Sequence, residues 1–278
     1  MTRFKKLCLI FSLLLIVLAT TGEQCDVNTL LFGENEEYRA IRDVVNRFKE
    51  GINSLDKEIL NDVISKNYAS GGLDRLGIIK NYFDQEIKIS DIRLSNITVD
   101  GRGADCRVDW DGTVILKPKP DIPYVADKIP TLSGDIDAAM IFGFKKEDDG
   151  KWRIIAKEVL TMTKSAKWGI SAPFISRFTV TPSTASAGDS LWVDAELKRI
   201  GGNVMLAAVN DRTLINTIYG IKDGPIDTIK VRVPSDQVPG STYDVYIIAL
   251  GVNANFLNPS QSGIVGITLR QISVPIEK

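Results

Sequence analysis

The chain holds 35 aspartates and glutamates, 34 lysines and arginines, and no histidine. Without imidazole, Ser-His-Asp and Cys-His catalysis, histidine-ligated zinc and histidine acid–base chemistry are all excluded. Gly71-Gly72 and Gly201-Gly202 lack the spacing and the following Lys-Ser/Thr of a phosphate loop. Carboxylates remain, in two settings. Asp105, Asp109 and Asp111 alternate along one strand face with Arg107, opposite Val108 and Trp110. They lack the spacing and central glycine of a calcium loop, so the reading is a solvated outer face and no metal site. Glu158 continues the phase of Trp152, Ile154 and Ala156. This alternation points its carboxylate inward, where burial would raise its pKa.

These residues sit in elements that the apolar periodicity predicts. Tyr38, Ile41, Val44, Val45, Phe48 and Ile52 recur at helical spacing, with Glu34, Glu36 and Glu37 at the favoured end of the helix dipole. A short helix carries Leu55, Ile59, Leu60 and Val63, with Ser54 as its candidate N-cap. After the Gly71-Gly72 break, a third helix places Leu73, Leu76, Ile79 and Phe83 on one face. The period then becomes two. Cys106, Val108 and Trp110 alternate with polar residues, Ile136 to Phe144 reads as a central strand, and Glu147-Asp148-Asp149-Gly150 turns into the strand of Trp152. Residues 117–134 hold four prolines and read as a long loop. From Pro173 onward, short alternating runs such as Leu191, Val193, Ala195 and Leu197 are separated by turn signals, which suggests a sandwich.

Three helices followed by strands, Asn67-Tyr68 after the second helix and Lys151-Trp152-Arg153-Ile154 near the end together resemble the nuclear transport factor 2-like superfamily over residues 34–164. Residues 174–278 resemble an immunoglobulin-like domain of bacterial exported proteins, with Tyr243 as the corner tyrosine. The fold expected from these resemblances has two domains. An α+β cone, three helices packed on a curved antiparallel sheet, is followed across a linker at 165–173 by an all-β sandwich. The first resemblance implies a pocket in the cone, for which Phe83, Trp110, Phe142 and Trp152 are the lining candidates, with Phe144 beside them. It also implies that Glu158 could serve as a general base beside the hydroxyl of Tyr68 or Tyr82. The structural alternative pairs Glu158 with a rim cation and leaves the tyrosines and other aromatics as core.

The N-terminus supplies an address. Arg3, Lys5 and Lys6 precede an apolar run from Leu7 to about Ala19, then Thr20, Thr21 and Gly22. That is the order of a secretory signal, expected to span residues 1–22 with cleavage after Ala19 or Gly22. The run falls short of the roughly 20 residues that cross a bilayer. A retained anchor and a lipid anchor at Cys25 are the alternatives. The expected location is the periplasm, the cell surface or the exterior. Removing 1–22 takes three of the 34 basic residues and no acidic one, leaving 31 against 35, a net charge of −4. Such a balance disfavours nucleic acid as a partner. Cys8 leaves with the signal. Cys25, in an N-terminal segment at 23–33, and Cys106 then form an even pair in an oxidising compartment. Their bridge would close a loop worth about 4 kcal/mol in the chain-entropy model. Two free thiols are the alternative. Asn96-Ile97-Thr98 fits a glycosylation sequon, of consequence only in a glycosylating host.

The expected function is an exported, non-catalytic binding or interaction protein. Its cone would take a small apolar ligand or an envelope protein partner, or pair with a second copy through the convex sheet, and its sandwich would act as a docking or spacer module. No cofactor is expected. An isomerase- or dehydratase-like enzyme using Glu158 is the first alternative, and a structural component of an envelope assembly is the second.

Overall fold

The computed structural model describes residues 35–120, 122, 125–210, 217–218, 221–253 and 263–277. The chain divides into two compact units, Met1–Ile41 and Arg42–Lys278. Of the first, the described part is the start of helix α1 (Glu36–Ser54). There the Asn35 side-chain oxygen accepts from the Glu37 amide at 2.9 Å, and Glu36 and Glu37 occupy the first turn.

In the second unit α1 continues, with Val45, Phe48 and Ile52 buried. Helix α2 (Lys57–Val63) is capped by Asp56, whose carboxylate accepts from the Glu58 and Ile59 amides at 2.8 and 3.0 Å. Ser54, the expected cap, instead donates back to the Glu50 carbonyl within α1. Helix α3 (Arg75–Asp84) is capped by Asp74 and buries Ile78, Ile79 and Tyr82. Leu76 lies outside that face, 55% exposed, and Phe83 is half-buried. The Phe48 ring meets Tyr82 and Phe142 edge-on, with centroids 5.5 and 5.4 Å apart, and so fastens the helices to the sheet.

The strands are β1 (Lys88–Asp100), β2 (Gly103–Leu116), β3 (Leu132–Lys146), β4 (Trp152–Trp168), β5 (Phe174–Thr181), β6 (Ser190–Lys198), β7 (Val204–Val209), β8 (Thr217–Ile218), β9 (Gly224–Pro225), β10 (Ile229–Arg232), β11 (Thr242–Val252) and β12 (Ile264–Pro275). A short 3-10 turn, Ala126–Lys128, interrupts the proline-rich loop before β3. One antiparallel sheet runs β1-β2-β3-β4-β12-β11-β7-β8. The smaller sheet runs β10-β6-β5, with β9 also paired to β6. Ile175, Leu191 and Val231 of the smaller sheet share a buried cluster with Met205, Val245 and Val274 of the larger.

This arrangement corrects the expected cone followed by a separate immunoglobulin-like sandwich. The larger sheet is common to both halves of the sequence. The join is β4, which continues through Ser165–Trp168, in the stretch read as a linker. Thr163–Trp168 pair with Ile267–Ile272 of the last strand. Local periodicity could not show this, because alternation reports which face of a strand is buried and not which distant strand pairs with it. The connection from β4 to β5 then crosses close over β12. Thr268 donates its hydroxyl to the Pro173 carbonyl, and a Cβ on Gly266 would overlap the Ser171 and Ala172 backbone.

Gly266→Ala is expected to lower the free energy of unfolding by about 1–3 kcal/mol, the range for overpacking. Gly202→Ala, where the added methyl meets nothing within 4 Å, is expected to stay within about 0.5 kcal/mol of the parent. Urea titration followed by tryptophan fluorescence measures both.

Candidate functional site

Two bulges decide which side chains of β4 face inward. Across from β3, Gly143 pairs with Ala156 but Phe144 pairs with Ile154, so Ile155 is an extra residue. Ala139 pairs with Thr161 and Met140 with Val159, so Leu160 is a second. Each extra residue reverses the alternation beyond it. Trp152 and Ile154 are buried in one phase. Lys157 and Val159 then turn to a cavity in the other, and Met162 and Lys164 join them after the second bulge. The first bulge is held at its outer edge by the loop after α2. Ser65 and Ala69 donate their amides to the carbonyls of Ile154 and Ile155 at 2.9 and 3.1 Å, and the Ser70 hydroxyl donates to the Lys157 carbonyl.

The cavity encloses about 270 Å3. Besides β4, α3 gives it Asn81 and Tyr82, the C-cap of α3 gives Gln85, and β2 gives Trp110. Its rim is the loop at Ser70–Leu73 and the turn at Gly240–Thr242, with Asp244 and Ser273 alongside. The rim segments touch backbone to backbone. Gly71, at φ +57°, brings its α-carbon so near the Gly240 carbonyl that a Cβ would lie 3.0 Å from that oxygen.

Lys157, Lys164 and Trp110 bring donors to the cavity, beside the acceptor oxygens of Asn81, Gln85 and Asp244. The Lys157 Nζ lies 3.3 Å from the Tyr82 hydroxyl, to which it donates, and 4.9 Å from the centre of that ring. Burial alone pushes the Lys157 amine down to about 8. Lys164, 7% exposed, donates to the Gln85 side-chain oxygen at 2.9 Å. Burial lowers its pKa, the charge of Asp244 opposes that, and Lys157 adds to it. The indole N–H of Trp110 is buried and has no acceptor among the described residues. Burial holds the Tyr82 and Tyr68 hydroxyls protonated well above the ordinary tyrosine range.

The structure brings some of the sequence candidates together and separates others. Trp110 and Tyr82 line the cavity. Tyr68 is buried beside the loop that forms its rim. Phe142 is core between Phe48 and Phe144, Trp152 is core beneath Lys146, and Phe83 lies off the cavity. The expected inward Glu158 is corrected: the bulge at Ile155 turns it to the exposed side and brings Lys157 in. Asp109 is engaged by Arg107 through a forked pair at 2.8–3.1 Å. Among the described residues no group of three or more carboxylates or thiols is arranged to hold a metal. Cys106 is buried with no disulfide partner among the described residues, and burial pushes its thiol up to about 11. Cys25 lies outside the described residues, as does the whole signal segment.

Sequence reasoning missed Lys157 and Lys164. They are seven apart, an odd number, and in a regular strand would face opposite sides. The bulge at Leu160 puts them on one.

Fold and site define an antiparallel β protein with appended helices and a lysine-lined cavity. No family model matches the chain, and no curated protein does. Among solved structures the chain is similar to a conserved protein from Planctomyces limnophilus DSM 3776, at 14% identity and a TM-score of 0.35, over 44% of this chain and 92% of that one.

The Lys157 amine binds its proton less tightly folded than unfolded, where its pKa returns to about 10.5. Between these values the unfolded state binds more protons, so stability rises with pH. The thermal midpoint is expected to climb from pH 7.5 to 9, and Lys157→Met to flatten the climb. Above pH 9 the raised Cys106 thiol works in the opposite sense. Calorimetry of both proteins across this window measures the difference.

Proposed function

We propose that this chain is an exported binding protein whose cavity takes a short-chain carboxylate. One observation carries the ligand chemistry. Two lysines, neither in hydrogen-bonding contact with a carboxylate among the described residues, share one small cavity with an unpartnered indole N–H. A buried donor left unpaired costs about 1–3 kcal/mol, and an anionic oxygen is the partner that relieves it. Ile87, Val159 and Met162 on the same walls suit a short apolar chain behind the charged head. Among the described residues no arginine, whose forked donors favour phosphate, lines the cavity. The volume, just below the roughly 300–1,000 Å3 of drug-sized sites, suits a compact molecule. The apolar ligand expected from the sequence thus becomes an amphiphilic one. Export rests on the basic and apolar order of residues 1–22.

Pentanoate is expected to raise the thermal midpoint of the full chain, and pentanamide, the same shape without the charge, to leave it unchanged. At a hundred times its dissociation constant, a ligand of the folded state adds about 2.7 kcal/mol. Lys164→Met is expected to weaken pentanoate at least about ten-fold, the value of one charge-assisted hydrogen bond. An equal response to acid and amide would overturn the reading.

A further inference from the structure

We propose that Lys157 is a covalent site, at which its amine condenses with the carbonyl of an oxo acid whose carboxylate is held at the Lys164 end of the cavity. The proposal rests on the carboxylate reading above and adds a reactive group to it. Three features of the geometry carry it. First, the Lys157 Nζ faces a phenol hydroxyl and ring and hydrogen-bonds no carboxylate among the described residues, so no ion pair holds it as the ammonium. Second, the same cavity holds a second ammonium, on Lys164, that is anchored through Gln85. Third, Trp110 stands across from Met162 through Ala138, two strands over, which places its free N–H near the Lys164 end.

The spacing selects the ligand. Strand residues advance about 3.3 Å each. Lys157 and Lys164 pair with Phe142 and Ile136, six β3 residues apart, and their side chains meet only in the shared cavity, so a ligand touching both amines needs its carbonyl and carboxylate separated, as in a 4-oxo or 5-oxo acid, rather than adjacent, as in a 2-oxo acid.

The chemistry needs no outside oxidant or reductant. The neutral amine adds its lone pair to the carbonyl carbon, a C–N bond forms, and the carbonyl π pair moves to oxygen. The proton lost from nitrogen goes to that oxygen, giving a carbinolamine. As the hydroxyl leaves as water, the nitrogen's remaining proton passes to it through the Tyr82 hydroxyl, which relays the proton and ends protonated, and the neutral imine is left. One amine and one carbonyl thus give one imine and one water. An amine that burial holds at about 8 is unprotonated near neutral pH to an extent a few hundred-fold greater than an ordinary lysine, ~250-fold at pH 7.5.

The test incubates the full chain at pH 7.5 with 4-oxopentanoate and cyanoborohydride, which reduces an imine to a stable secondary amine. Peptide mapping then locates the mass gain, equal to the oxo acid less one oxygen atom. Lys157 is expected to be labelled about a hundred-fold faster than exposed Lys230. Pentanoate should suppress the labelling, and Lys157→Arg should abolish it with the circular dichroism unchanged. The wild-type map stands even if that variant fails to fold. Labelling of Lys157 no faster than Lys230 would overturn the proposal, while stabilisation by pentanoate in the same sample would leave the carboxylate reading standing. Equal labelling by 2-pentanone, which lacks the carboxylate, would overturn the proposal together with that reading.

Discussion

The seventeen residues of β4 carry a hydrogen-bonding obligation along both edges, and the way that obligation is met shapes the second unit. Buried amides and carbonyls must find partners, so each stretch of a central strand recruits some other part of the chain. One edge of β4 is taken by β3 along most of its length. The other edge is divided. The loop after α2 holds the carbonyls of Ile154, Ile155 and Lys157, and β12 holds residues 163–168. Between those partners, residues 158–162 have no strand on that edge among the described residues. The cavity opens at this interval, with α3 over it and the two glycine-bearing rim segments closing its far side.

A site built this way works against the stability of the sheet that holds it. Two amines and an indole N–H occupy positions that a folding optimum would fill with leucine or valine. The surroundings soften the burden without removing it. Gln85 satisfies Lys164, the Tyr82 face and hydroxyl receive Lys157, and Asp244, itself bonded by Ser273 at 2.6 Å, supplies negative charge at the rim. Another network, of Arg153, Glu147, Asp149 and Asp62, lies on the side of the β3–β4 turn, with Arg153 and Glu147 largely buried and Asp149 toward solvent.

Much of the local structure was legible in the sequence. The alternation of Cys106, Val108 and Trp110 against Asp105 and Arg107 is the burial pattern of β2, and the doubly apolar run from Ile136 is the central strand β3. What was illegible is non-local. Pairing of β4 with β12 joins residues a hundred positions apart, and no periodicity encodes it. The bulges are equally silent, because Ile155 and Leu160 are β-branched or apolar residues that suit a regular strand. Extrapolating the alternation from Trp152 therefore chose Glu158 and passed over its neighbour. In α3 the same limit appears on a smaller scale: the face marked by Leu76 and Phe83 is rotated from the one that packs, Ile78, Ile79 and Tyr82.

The bulge at Leu160 has a consequence for how such a cavity can change over time. Its lining is set by the number of residues between two points on a strand as much as by which residues they are. Loss or gain of one codon there would exchange the inner and outer sets of side chains along half of β4, sending Met162 and Lys164 outward and drawing their neighbours in, with no side chain altered. The chemical character of the site is thus stored partly as a count. A lineage could move between a cavity with two lysines and one with a single lysine in one length mutation, a step that comparison of aligned residue types alone would misread as many substitutions.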